Sequence, residues 1–113
     1  MTKGGALPRT TLQILLALAA GPRHGYGIKL DVEERTAGAV RLGSGTLYEA
    51  IQRLLDNGWI VEVEPPADGD ASGGPARRFY SLSDDGREGL RAEVESMQDI
   101  VDFARRKRIL SAS

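Results

Sequence analysis

The residues best suited to chemistry in this sequence are Gly43-Ser44-Gly45-Thr46, four small residues that open the stretch from Leu42 to Ile60. Behind them Leu47, Ile51, Leu54 and Leu55 fall at i, i+4, i+7 and i+8, one face of an α-helix, while Glu49, Gln52, Arg53 and Asp56 fall opposite. Ser44 is placed to cap the start of that helix, and Asn57-Gly58 to end it with a left-handed residue. A helix N-terminus without bulky side chains lets an anion approach its free backbone N–H groups, and the helix dipole favours negative charge there. The chemistry this predicts is recognition of phosphate-like oxygen, not bond making. The same residues also describe a capped helix that only closes a core, so the stretch does not decide between the two by itself.

Catalysis and metal ligation find little support. His24 is the only histidine, there is no cysteine, and the acids are scattered along the predicted surface without a partner nucleophile or base. We expect no enzyme activity, no metal and no cofactor. The 113 residues suit one small domain with an appendage, and 41% hydrophobic residues suffice for one modest core. A net charge of −1 gives no overall attraction to nucleic acid, so such binding needs a local patch. Residues 1–60 carry a small excess of cations and the remainder an excess of acids. The longest apolar run, Leu12 to Ala20, contains Gln13 and falls well short of the ~20 residues that span a membrane. No small-x-small cleavage pattern follows it, so we expect a cytoplasmic protein with no membrane contact.

The elements that must position these residues can be read in order. Residues 1–9 make a flexible arm. Thr10 or Thr11 caps a first helix whose stripe is Leu12, Leu15, Leu16 and Ala19, widened by Ile14 and Leu18 and stopped by Gly21-Pro22. A second helix opens at His24-Gly25-Tyr26-Gly27 and runs to about Arg35, with Ile28 and Val32 paired at i, i+4 and Tyr26 and Leu30 likewise. Tyr26 is expected to pack beneath the third helix. After Gly58 the period changes to two, with Trp59, Val61 and Val63 alternating with Ile60, Glu62 and Glu64 as in a half-buried strand. Pro65-Pro66 ends it, Ala67 to Pro75 is a solvated loop, and Arg77 to Leu82 returns as a second strand. Three helices followed by a hairpin predict a winged helix-turn-helix.

Ser83 then caps a last helix of about 24 residues, roughly 36 Å at 1.5 Å per residue. Its acids Asp84 and Asp85 lie in the first turn and its cations Arg105, Arg106, Lys107 and Arg108 at the other end, as the dipole favours. Leu90, Val94, Met97, Val101 and Ala104 form a heptad seam broadened by Ile100 and Phe103, more than so small a body can cover, so the seam predicts a second chain. The fold class is α+β, mainly α: a winged helix-turn-helix over residues 10–83 with a dimerisation helix and tail over 84–113.

With these elements in place the sequence resembles the PadR family of bacterial transcriptional regulators, in particular its short members with a single C-terminal dimerisation helix. His24-Gly25-Tyr26-Gly27-Ile28 matches the family's H-G-Y-x-I, and Gly45-Thr46-Leu47-Tyr48 followed by Leu54 and Gly58-Trp59-Ile60 matches its recognition helix. Tyr80-Ser81-Leu82-Ser83-Asp84-Asp85-Gly86 matches the Y-x-L-[ST]-x-x-G that joins wing to last helix. The resemblance implies a homodimeric, sequence-specific repressor that binds double-stranded DNA at an inverted-repeat operator and is released by a small-molecule effector. It places Ser44, Gly45, Thr46, Tyr48 and Arg53 against DNA. Gly45 stands where many members have proline, and the wing tip carries Asp68 and Asp70 with no cation, which shifts the expected wing contacts to Arg77 and Arg78. A winged helix used only for protein–protein assembly is the alternative, favoured by the slightly negative net charge.

Overall fold

The first helix, α1 (Arg9–Ala19), is started by Pro8 and not by a threonine side chain. Proline at φ −57° needs no N–H of its own, and its carbonyl accepts the Leu12 N–H at 2.9 Å. Thr11, one of the expected caps, is instead buried within the helix alongside Leu12, Ile14, Leu15 and Leu18. This computed structural model describes residues 7–66 and 77–110. The loop Ala67 to Pro75, with Asp68 and Asp70, and residues 1–6 of the expected arm lie outside the described residues, as does the tail from residue 111.

A two-residue strand absent from the sequence reading, β1 (Arg23–His24), precedes α2 (Gly25–Arg35). His24 caps α2, its Nδ1 accepting the Gly27 N–H at 2.9 Å. Ile28 and Val32 are fully buried, but Tyr26 is 53% exposed and Leu30 is exposed as well, so Tyr26 does not pack beneath the next helix. The reason is the helical period: two residues rotate the side chain by about 200°, which turns Tyr26 and Leu30 away from the face that Ile28 and Val32 bury. Thr36 then orders the turn, donating its hydroxyl to the Val32 carbonyl at 2.8 Å and accepting the Val40 N–H at 3.1 Å.

The third helix, α3 (Ser44–Asp56), has Gly43 as its N-cap with no side-chain bond, so Ser44 is an exposed first-turn residue and not the cap. Leu47, Ala50, Ile51 and Leu54 are buried, as the spacing predicts. Gly58, at φ +76°, ends the helix in the left-handed region where glycine carries no Cβ penalty. Next come β2 (Ile60–Val63) and β3 (Phe79–Leu82), which pair antiparallel with Ile60 opposite Leu82 and Val63 opposite Phe79. β3 also pairs with β1, giving the sheet order β1-β3-β2.

The face of β2 differs from expectation. Ile60 is buried opposite Leu82, whereas Val61 is 44% exposed. Trp59 is buried all the same, because the last helix, α4 (Asp84–Arg106), lies across its ring so closely that a Cβ on Gly89 would collide with the ring carbons. Ser83 sets that approach: its Oγ accepts the Gly86 N–H at 3.0 Å and donates to the Gly58 carbonyl at 2.6 Å, while its N–H donates to the Trp59 carbonyl at 3.0 Å. Leu90, expected at the dimer seam, is 6% exposed and belongs to the core with α1 and β3 residues. The first turns of α4 are close enough to the body to bury it. Beyond them Val94, Met97, Ile100 and Phe103 are exposed, with Val101 and Ala104 half-buried.

Candidate nucleic-acid interface

The burial of Leu47, Ile51 and Leu54 leaves Ser44, Gly45, Thr46, Tyr48 and Arg53 on the exposed side of α3. Nothing stands within 4 Å of a Cβ built on Gly43 or Gly45, so internal packing does not require glycine at either position. Tyr48 is braced against α2. A Cβ on Gly25 would stand 2.6 Å from the Tyr48 hydroxyl oxygen and 2.9 Å from its Cζ, so the bare glycine backbone is what lets the phenol ring settle there.

The wing reaches the same place through the β1–β3 pairing. His24 lies opposite Phe79, and the two rings meet edge to face with centroids 5.3 Å apart. Arg77, just before β3, brings a guanidinium nitrogen to 3.1 Å from His24 Nε2 and 3.5 Å from Nδ1. Tyr80 is buried in the sheet, and that burial, reinforced by Glu62 and opposed by Arg78, raises its hydroxyl pKa above the ordinary 10.0.

These residues enclose a cleft of about 240 Å³ lined by His24, Gly25, Tyr26, Tyr48, Arg77, Arg78 and Tyr80. Among the described residues no carboxylate lines it. On the other flank of the two arginines runs a groove lined by Glu62, Val63, Glu64, Pro65, Arg77 and Arg78, so the wing-base cations stand between a cationic cleft and an acidic strand. Of the residues expected at the site, the cleft brings together Tyr48, Arg77 and Arg78, while Ser44, Gly45, Thr46 and Arg53 remain on the open side of α3. The sequence reading did not assign His24, Gly25, Tyr26 or Tyr80 to this surface. All four sit inside the motifs it noted, but which way they face depends on β1 pairing with a strand more than fifty residues away. Among the described residues no group of three or more His, Cys, Asp or Glu could hold a metal ion, and no helix is long and apolar enough to cross a membrane.

The sequence model of the PadR-like family of transcriptional regulators matches residues 14–92. The chain belongs to that family. The match to the PadR-like model ends at residue 92, in the first half of α4, so the exposed seam from Val94 onward lies beyond it. Among curated proteins, a 37.1 kDa protein in transposon Tn4556 of Streptomyces fradiae is 36% identical over 84 residues, covering 74% of this chain and 21% of that protein. The chain therefore spans about a fifth of the length of that relative.

Solved structures share the PadR-like winged-helix fold. A PadR family transcription regulator from Clostridium difficile superposes with a TM-score of 0.72 at 24% identity, covering 88% of this chain and 97% of that one. A PadR-like transcription factor from Bacteroides fragilis gives 0.69 at 22% identity, covering 86% and 87%. PadR of Bacillus subtilis, solved in complex with operator DNA, gives 0.62 at 22% identity, covering 74% of this chain and 45% of that one. The family and these neighbours are transcription regulators, not enzymes.

Proposed function

We propose that this PadR-like protein is a sequence-specific DNA-binding regulator that acts in the cytoplasm as a homodimer on an inverted-repeat operator. The observation that carries the reading is that Tyr48 of α3 and Arg77 and Arg78 of the wing base line one cleft in which, among the described residues, no carboxylate takes part. In a chain of net charge −1, this is the local cationic surface that nucleic-acid binding needs. α3 enters the major groove, where Thr46 and Arg53 reach base edges and Ser44 and Gly45 lie close to the backbone. That the Bacillus subtilis relative was solved in complex with operator DNA supports the DNA-binding part of this reading. Residues 10–83 form the DNA-binding unit. Residues 84–113 pair two copies through Val94, Met97, Ile100, Val101, Phe103 and Ala104, with Leu90 assigned to the core. The same reading includes repression with release by a small-molecule effector, which the resemblance to the family supports.

A second reading, protein–protein assembly without DNA, is favoured by Glu62 and Glu64 beside the wing arginines. Fluorescence anisotropy on duplexes selected from a random pool, repeated over a range of salt, separates the two. The DNA reading expects a steep fall of log affinity with log salt, and an assembly module shows no duplex binding at any salt.

A further inference from the structure

Every polar side chain that lines the wing-base cleft is one that donates. Arg77 and Arg78 are donors only, the hydroxyls of Tyr26, Tyr48 and Tyr80 carry an O–H each, and His24 already uses Nδ1 to accept the Gly27 N–H. Among the described residues no carboxylate or carboxamide lines it. A phosphodiester presents acceptors alone and carries the negative charge that two guanidinium groups complement, so a lining of donors with two cations matches phosphate better than a neutral base edge.

Resting on the DNA-binding reading above, we infer that this cleft seats one backbone phosphate in each half-site, and that Tyr26, exposed on α2, is a contact residue of that seat. Arg77 and Arg78 supply the charge, Tyr26 and Tyr48 bind the phosphate oxygens, and Gly25 positions the Tyr48 hydroxyl by leaving the space that the ring occupies. The seat lies where α2, α3 and the wing meet, so one phosphate fixes the register of all three on the duplex. It is sequence-independent, which leaves discrimination to the open side of α3. A free phosphate ion offers the same oxygens, but the continuity of the cleft with exposed α3 favours the phosphate of a duplex lying along that helix.

The test uses the full chain and a selected duplex, in which single phosphates are replaced in turn by neutral methylphosphonates. Tyr26→Phe keeps the ring and should leave the melting curve unchanged while weakening binding about tenfold, as loss of a hydrogen bond to a charged group does. At one position per half-site a methylphosphonate should weaken the wild type by more than Tyr26→Phe does, since Arg77 and Arg78 lose the charge as well, and there the two changes together should cost less than the sum of each alone. Additive losses at every position, or a Tyr26→Phe protein that binds as the wild type does while Arg53→Ala fails, would overturn the seat and leave the DNA reading standing. Displacement of the duplex by inorganic phosphate at fixed ionic strength from wild type but not Tyr26→Phe, with no methylphosphonate effect, would assign the cleft to a free phosphate and overturn the proposal. A wild type that binds no duplex would remove the function and the seat together.

Discussion

The carbonyl of Trp59 fills the space that a side chain on Gly86 would need, so the first turn of α4 rests on the backbone at the start of β2. This contact joins the end of α3 to the long helix through four residues: Gly58 and Trp59 accept from Ser83, and Ser83 caps α4 by accepting the Gly86 N–H. A methyl group at Gly86 must push backbone against backbone, which no side-chain rotation relieves. Gly86→Ala should therefore cost about 1–3 kcal/mol or more in urea denaturation. Gly45→Ala, where a Cβ meets nothing within 4 Å, should leave stability unchanged or raise it by up to about 1 kcal/mol. Equal midpoints for the two variants would contradict the packing described.

The two faces of α3 should separate under mutation. Ile51 is buried in the core, and Ile51→Ala should lower stability by about 2–5 kcal/mol through the cavity it leaves. Thr46→Ala and Arg53→Ala, at exposed positions, should melt as the wild type does. Any base-edge contact they lose should cost about 1–3 kcal/mol of binding and relax specificity at one base pair in each half-site. Calorimetry and binding selection on the same preparations check both halves of the expectation.

At the wing base the sign of the charge should set the direction of the effect. Arg77→Ala and Arg78→Ala should each flatten the log–log salt slope by about 0.9, the contribution of one phosphate contact. Glu62→Gln removes an acid from the groove beside them and should tighten binding to any duplex. Slopes unaltered in both arginine variants would place the phosphate contacts elsewhere.

Tyr80 should ionise above the ordinary tyrosine range. Burial and Glu62 raise its pKa above the unfolded value of 10.0, so its contribution to stability is fully present below pH 10.0 and is lost as the pH rises through the higher folded value. In an alkaline absorbance titration, Tyr80→Phe should remove the component that titrates above the ordinary tyrosine range.

The exposed end of α4 should carry dimerisation without carrying the fold. Ile100 is 66% exposed and Phe103 is exposed beside it, so Ile100→Glu with Phe103→Glu should give a folded monomer in sedimentation velocity. Leu90→Ala should instead destabilise the body by about 2–5 kcal/mol, since Leu90 lies in the core. An unchanged dimer mass in the double variant would move the interface off this face.

What the sequence by itself determined is what depends on neighbours within a turn or two. The buried face of α3 follows from the spacing of Leu47, Ile51 and Leu54, the stop at Gly58 from its positive φ, and the start of α4 from a Ser83 hydroxyl placed to meet the Gly86 N–H. The tertiary structure decided what depends on partners far along the chain. Two residues of β1 carry no periodicity of their own, and only pairing with Phe79 and Tyr80 makes them a strand and turns His24 toward the wing. Trp59 and Val61 share a strand face by alternation, yet one is covered by α4 and the other is not, because a helix crossing a sheet shields only what lies beneath it. The seam of α4 reads as one continuous heptad, and only the point at which the helix leaves the body separates Leu90, which its own chain buries, from Val94 onward, which it does not. The cleft assembles the same way: its tyrosines and arginines come from three elements, and no local pattern records that those elements meet.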